Sequence, residues 1–387
     1  MPAMPHFKRT SLVLIGVCLT AAATSAALPA SAANKPEAPK TTGYTVKSFP
    51  AVGAETGPDD ITRLGNSVYV SFQNGVGPLG EAAKSGATES TIQQYGLDGK
   101  PGKSWQVSGK VDGLTADPAH HRLLLTANED GNSSFATLSP GAAVPLARYS
   151  YSGLTHGGGT DAITLRHGKI VVSASAPSDS TGPAAYSVSL QGTTAALTPL
   201  FADNATATIA NGPNAGSTTT LALTDPDSNT MVPRSAPRFK NAFMLDAQGD
   251  QQLIFAANLG KAGQSLQVLN VAQPLDDTAF AARANETLWI TDPSANAVYS
   301  VTGPFKAGQA VSTVAPDAGA NSLNTLDLTT GALTPIPELA AIHPKGLMFT
   351  SSRDDNHDGG HGHGDQSGQD GHGGHGGQRQ DAADSQN

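Results

Sequence analysis

The apolar residues of this chain fall in short consecutive runs. They read Val68-Tyr69-Val70, Leu123-Leu124-Leu125, Ile170-Val171-Val172, Leu253-Ile254-Phe255 and Leu288-Trp289-Ile290, and each closes on Ser, Thr or Ala. A strand with one wet face alternates apolar and polar, whereas consecutive apolar residues suit a strand buried on both faces. Four of the runs follow a short acidic signature and a polar turn: Asp59-Asp60-Ile61-Thr62, Asp112-Gly113-Leu114-Thr115, Asp161-Ala162-Ile163-Thr164 and, more weakly, Asp276-Asp277-Thr278-Ala279. The fifth run has Asn241 at roughly the matching place. No helical period accompanies them. Strand–turn–strand units repeating at about fifty residues predict an all-β fold of radially stacked sheets, a β-propeller.

The repeat divides the chain into an expected set of blades. The first runs from Gly57 to Val107, the second from Val111 to Ser150, and the third ends near Phe201. Asp203 to Arg238 is rich in Pro, Asn, Thr and Ser, and reads as a long insertion across one face. A fourth unit pairs Asn241–Leu245 with Leu253–Ala257, and a fifth pairs the strand at Asp276 with Leu288–Thr291. The sixth would combine Ser322–Leu328, Ala332–Ile336 and Gly346–Thr350 with the N-terminal alternating segment Tyr44–Phe49, which closes the ring. Six blades are expected, with seven open because the insertion has room to hide one.

The two ends are of different material. Lys8 and Arg9, the small-residue apolar stretch from Ser11 to Leu28 and Ala30-Ser31-Ala32 form a secretory leader over residues 1–33. Residues 34–42 are a linker, residues 43–352 the propeller, and residues 353–387 a Gly-, Asp- and His-rich tail too polar to bury a core. Cys18 is the only cysteine and lies in the leader, so the mature chain has no disulfides and depends on core size and closure. No other stretch is long and apolar enough to span a membrane. The net charge of -9 argues against nucleic acid. A secreted monomer is expected, with a small molecule or an extracellular protein or polysaccharide as partner.

Several segments resemble known propeller families. Leu288-Trp289-Ile290-Thr291-Asp292-Pro293-Ser294-Ala295-Asn296-Ala297-Val298 resembles the inner hairpin of NHL-type repeats, and His343-Pro344-Lys345-Gly346-Leu347 resembles the start of one. Asp112 to Pro118 is similar to a segment of gluconolactonase-like and YncE-like propellers. The resemblance spans nearly all of Gly57 to Ser352 and implies, in the gluconolactonase-like case, a Ca²⁺ ion in the central channel and lactone hydrolysis. The matching positions are the blade starts Asp59, Asp112, Asp161 and Asp276. Asp112 departs from the Asn of that family, and Glu55-Thr56-Gly57-Pro58 carries one residue more than its Glu-Gly-Pro.

Two readings of the blade-start acids stand side by side. Converging carboxylates would suit a hard cation such as Ca²⁺, while each Asp could instead cap a turn through backbone N–H groups. His156, before Gly157-Gly158-Gly159, is the candidate base of a hydrolase, and Lys345 holds the corresponding place in the closing unit, where it could pair with an acid. In the tail, His357, His361, His363, His372 and His375 are candidate ligands for Zn²⁺, Ni²⁺ or Cu²⁺. Asp354-x-Asn356-x-Asp358-Gly359 with Asp365 at the twelfth place has calcium-loop spacing, without the flanking helices. Gly-x-Ser-x-Gly and His-Glu-x-x-His are absent. The expected function is a secreted binding module; the alternative is a Ca²⁺-dependent lactonase-type hydrolase. N-terminal sequencing of the secreted protein should begin at Ala33 or Asn34; a start at Met1 would remove the leader.

Overall fold

The computed structural model describes residues 43–351 except 317. The leader, the linker and the tail histidines His357, His361, His363, His372 and His375 lie outside the described residues, as does the calcium-loop-like segment. The described part is all-β, without an α-helix, and its strands form six blades, each built on four antiparallel strands; blades two and three join at their rims into one eight-stranded sheet through a parallel pairing of Ser150–Ser152 with Thr194–Ala196. Blade one is Pro58–Leu64, Ser67–Phe72, Glu89–Gly96 and Pro101–Ser108 from axis to rim. Blade two is Val111–Asp117, Arg122–Ala127, Ser134–Leu138 and Leu146–Ser152, and blade three is Ile163–Arg166, Lys169–Ser173, Pro183–Gln191 and Thr194–Ala202. The innermost strands of the six blades neighbour one another in sequence around the axis, and the sixth meets the first.

The apolar runs are where they are because each blade is covered on both sides. Among the described residues there are six buried apolar clusters, and each lies between two neighbouring blades. Leu123 and Leu125 face blade one, with Tyr69 and Ile92, while Leu124 between them faces blade three, with Ile163 and Val172. Val171 turns towards blade four and Val172 towards blade two. Each fully buried Leu, Ile or Val contributes about 1.5–3 kcal/mol, so a run of three stabilises two interfaces at once.

Blade four departs from the expected division. Its inner strand is Pro226–Met231, followed outwards by Phe243–Ala247, Gln252–Ala257 and Ser265–Asn270. The segment expected to be an insertion therefore holds the axial strand, and the place matching Asp59 is Asp227, not Asn241. Asp227-Ser228-Asn229-Thr230 has no apolar residue, so periodicity had nothing to detect. Two short strands, Thr206–Ile209 and Thr218–Thr220, extend this blade at its rim.

The last two blades exchange strands. Leu275–Phe280 is the inner strand of blade five, but it pairs with Ala310–Val314, followed by Ser322–Leu326 and Leu333–Pro335. The intervening hairpin, Thr287–Asp292 and Ala297–Thr302, belongs to blade six. That blade receives Leu347–Thr350 on its inner side and Thr45–Pro50 on its outer side. The N-terminal strand thus closes the ring as expected, whereas the fifth unit's two expected partners are in different blades. Phe49 on that strand lies against Trp289, with ring centroids 5.6 Å apart.

Side-chain hydroxyls tie four of the six blades to the next. On the second strand, Thr126 donates to the Asp161 carbonyl, Ser173 to that of Asp227, Thr313 to that of Lys345 and Thr291 to that of Asp59. Blade one has Ser71 in this register, accepting from the Asp60 N–H at 3.0 Å. Blade four has Asp246 there, fully buried, with neither carboxylate oxygen hydrogen-bonded. Burial first, then the charges of Asp277, Asp276 and Asp225, hold its carboxyl well above the usual range. Asp246→Thr should therefore stabilise the fold by about 1 kcal/mol or more, with a larger gain at pH 8 than at pH 5. Chemical denaturation of both proteins at the two pH values measures it; a loss of stability at pH 8 would refute the assignment.

Candidate functional site

Every inner strand reaches the axis through the same short segment. In blades one, two, four and five the pairing register slips there, between Pro58 and Ile61, Val111 and Leu114, Pro226 and Asn229, and Leu275 and Asp277. An irregularity of this kind re-aims side chains that a regular ladder would hold against the neighbouring blade. Asp59, Asp112, Asp161, Asp227, Asp276 and Lys345 occupy equivalent places in blades one to six, and all six line one axial cavity of about 270 Å³. Glu129 joins them from the loop after the second strand of blade two.

The following position has a different task. Asp60 Oδ2 accepts from the Leu114 N–H of the next inner strand at 2.6 Å, and Asp277 Oδ2 from that of Leu347 at 2.7 Å. Asp60 and Asp277 therefore bridge inner strands, the capping role one reading gave to the blade-start acids. Blade two has Gly113 here because a Cβ would lie 2.4 Å from the Asp161 carbonyl oxygen. Gly346 is required for the same reason in blade six, facing the Asp59 carbonyl at 2.3 Å.

Two ammonium groups hold part of the acidic ring together. Lys345 Nζ lies 2.9 Å from Asp276 Oδ1 and 3.3 Å from Asp59 Oδ1. Burial works against this ammonium, but Asp276, Asp59 and Asp227 outweigh it and keep its pKa well above the ordinary lysine value. Lys110 Nζ is 2.9 Å from Asp112 Oδ1 and also contacts Glu129. Gln73 Nε2 donates to the same Asp112 oxygen at 2.9 Å, which leaves Asp112 Oδ2 buried and without a partner. The remaining arc holds Asp161 and Asp227, whose carboxyl groups both lie well above the usual range, raised by burial first and, for Asp161, next by the charge of Asp227.

The expected pairing of Lys345 with a blade-start acid is thus present, and Asp59, Asp112, Asp161 and Asp276 do share one cavity. They do not share one ion site. Among the described residues no group of three or more His, Cys, Asp or Glu side chains is arranged to hold a metal ion, and the Lys345 ammonium lies between two of the four acids. The residues do not fit the Ca²⁺ implied by the gluconolactonase-like resemblance, and no catalytic step follows through it. Glu55 caps a turn, accepting from the Val52 N–H at 2.8 Å, and is not among the residues lining the cavity.

His156 is a correction to the sequence reading. Its ring is buried, with Nε2 2.9 Å from the Ser175 carbonyl oxygen and Nδ1 3.4 Å from the Tyr186 hydroxyl, and it does not line the cavity. Burial lowers its pKa below the ordinary value, against the pull of the Ser175 and Gly159 carbonyls. The triple glycine beside it serves packing: a Cβ on Gly158 would lie 2.0 Å from the Ala176 carbonyl oxygen, and one on Gly159 2.1 Å from that of Glu129. That close approach sets the backbone of Glu129. Asp227, Lys110 and Glu129 escaped the sequence reading. For Asp227 the available signal was the spacing Asp-x-x-Thr, shared by Asp59, Asp112, Asp161 and Asp227 with Thr62, Thr115, Thr164 and Thr230.

No family model matches the chain. No curated protein matches it either. Solved structures similar to it are propellers. The periplasmic gluconolactonase of Pseudomonas aeruginosa superposes with a TM-score of 0.47 at 11% identity, covering 80% of this chain and 99% of the other. Nidogen, solved in complex with laminin, gives 0.48 at 13%, covering 79% and 89%, and a streptogramin B lyase gives 0.43 at 14%, covering 79% and 91%. These are likenesses of chain path between remote sequences. Among the described residues no helix is long and apolar enough to cross a membrane.

The buried acids make stability depend on pH with a definite sign. Burial lifts Asp203 and Asp277 to about 7, and Asp60, Asp161 and Asp246 are also raised, with burial as the first cause. The unfolded reference is about 3.9, so between roughly pH 4 and 7 the folded chain binds more protons than the unfolded one. The stability these groups contribute is complete below that window and is lost as pH rises through it. Calorimetric Tm should be several degrees higher at pH 5 than at pH 8; an equal or lower value at pH 5 would show these acids to be ionised in the fold.

Proposed function

We propose that this protein is a secreted binding module that holds a small molecule in its axial cavity. The observation that carries the reading is the convergence of Asp59, Asp112, Asp161, Asp227, Asp276 and Lys345, one from each blade, on a single cavity of about 270 Å³. A fold gains nothing by gathering six ionisable side chains at one point, since desolvating each is costly. Convergent polar groups in a concave site are what recognition requires. The volume lies just below the roughly 300–1,000 Å³ of pockets for drug-sized ligands, which suits a metabolite of modest size.

The test is a mixed panel of cationic, neutral and anionic fragments, screened by ligand-observed NMR on the full chain. Saturable binding of at least one class is expected. Thr164→Trp, which sets an indole at a position lining the cavity, should abolish it. Hits that survive the substitution would place the ligand elsewhere, and an empty screen would defeat the reading.

A further inference from the structure

We propose that the protein carries a second binding site, for a tetrahedral oxyanion such as phosphate or sulfate, in a cavity of about 170 Å³ at the seam between blades six and one. It shares no lining residue with the axial cavity and does not depend on the function proposed for that cavity. The pairing of blade six builds its wall. Residues directly opposite on neighbouring strands share a face, as do residues two apart along a strand. Thr45, Thr302, Thr287 and Thr350 are therefore one row across all four strands, and Lys47, Ser300 and Trp289 lie in the next row of the same face. Beyond them the face turns apolar, where Phe49 and Val298 pack with Ile61 and Tyr95 of blade one. Arg63, near the end of the first inner strand, and Leu97 complete the cavity from the side of blade one.

The charges of this wall are of one sign. Lys47 and Arg63 are the only charged residues lining it, in a chain whose net charge is -9. Lys47 pairs with no carboxylate among the described residues. Asp98, next to Leu97 in sequence, is engaged by Lys100 at 2.8 Å. The hydroxyls are not open surface, since Ser300 is 7% exposed and Thr350 8%. Trp289 Nε1 donates to Thr350 Oγ1 at 2.8 Å, which leaves the Thr350 proton for another acceptor. Ser300 lines the cavity and makes no side-chain hydrogen bond among the described residues. Its Oγ is reachable by solvent, whereas Ser48 Oγ on the adjacent strand is sealed. A nearly buried donor that opens on a cavity beside two cations asks for an acceptor of negative charge.

Arg63 decides the shape of that anion. Its Nε donates to the Gly65 carbonyl at 2.8 Å and its Nη1 to that of Ser351 at 3.0 Å. With these nitrogens committed it offers charge rather than the parallel two-point face that suits a planar carboxylate. Lys47 is a point charge on a flexible stem. Hydroxyls brought together from several strands match an ion that presents oxygens in every direction. The volume falls below the roughly 300–1,000 Å³ of pockets for drug-sized ligands, and suits an ion of few heavy atoms.

The experiment follows the two tryptophan indole N–H signals of the ¹⁵N-labelled full chain at pH 7, assigned with Trp105→Phe, as salts are added at matched ionic strength. Trp289 lines the cavity, and Trp105, between blades one and two, is the internal reference. Sodium phosphate and sodium sulfate should shift the Trp289 signal saturably and leave Trp105 in place. Sodium acetate should bind at least about tenfold more weakly, and sodium chloride should give no saturable shift. Lys47→Gln should weaken phosphate by about tenfold and Ser300→Ala by about threefold or more. Lys84→Gln removes the same charge from an exposed loop and should change nothing. A chloride response equal to that of phosphate, or equal losses in Lys47→Gln and Lys84→Gln, would reduce the effect to charge screening and overturn the site. Acetate binding as tightly as phosphate would overturn the tetrahedral class. Asp354 and Asp355 follow the wall residue Ser351 in sequence, so replacing both by Asn should leave phosphate affinity unchanged. Phosphate binding seen only in that double variant would assign the cavity to the chain's own carboxylates instead.

Discussion

Mutual coverage of neighbouring sheets is the constraint on which this molecule rests. A four-stranded sheet with two apolar faces has no stable existence alone, and here each blade finds a cover on both sides only because the blades return on themselves. The six apolar clusters are the six contacts of that ring, and one face of the first blade and one of the sixth stay uncovered until those two blades meet. The closing blade is assembled from three separate segments, with Thr45–Pro50 at its rim and Leu347–Thr350 at its axis. The strand exchange between blades five and six means that neither can be completed without the other. With no cysteine in the described chain, this interlock takes the place of covalent closure.

The axis is a consequence of the same geometry. Twisted sheets packed side by side cannot fill their common centre, so the inner strands present unpaired backbone edges and slipped registers to a narrow space. Charge collects there because each blade contributes one aimed residue. Five of the six are aspartates, and their repulsion is met by Lys345 beside Asp276 and Asp59, by Lys110 from the approach to blade two beside Asp112, and by burial that holds the Asp161 and Asp227 carboxyls well above the usual range. The hydroxyls of Thr126, Ser173, Thr291 and Thr313 anchor the backbone behind these residues. The ring of charge is therefore backed by neutral hydrogen bonds at four of the six seams, and lacks them where Ser71 bonds within its own blade and where the buried acid Asp246 takes the hydroxyl's place.

Much of this was legible along the chain. Consecutive apolar residues such as Leu123-Leu124-Leu125 announce burial on both faces, and the structure assigns alternate members of that run to opposite neighbours. The repeated Asp marked the axial ends of four inner strands, and the alternation of Tyr44–Phe49 marked the closing strand. Asp227 was hidden because its strand is polar: a segment whose purpose is to face a wet axis leaves no hydrophobic trace. His156 misled for the converse reason, since a histidine beside a glycine-rich loop looks available until the backbone that packs over it is known.

Local patterning thus determined the class of fold, the count of inner hairpins visible to it, and the residue type at most blade starts, because burial on two faces and a repeated turn are properties of short segments. Only the tertiary structure decided which hairpins share a sheet, which carboxylate meets which ammonium, and that Asp227 takes the blade-four place at the axis. Those facts depend on distances across the ring between residues far apart in the chain, and no local pattern encodes a distance.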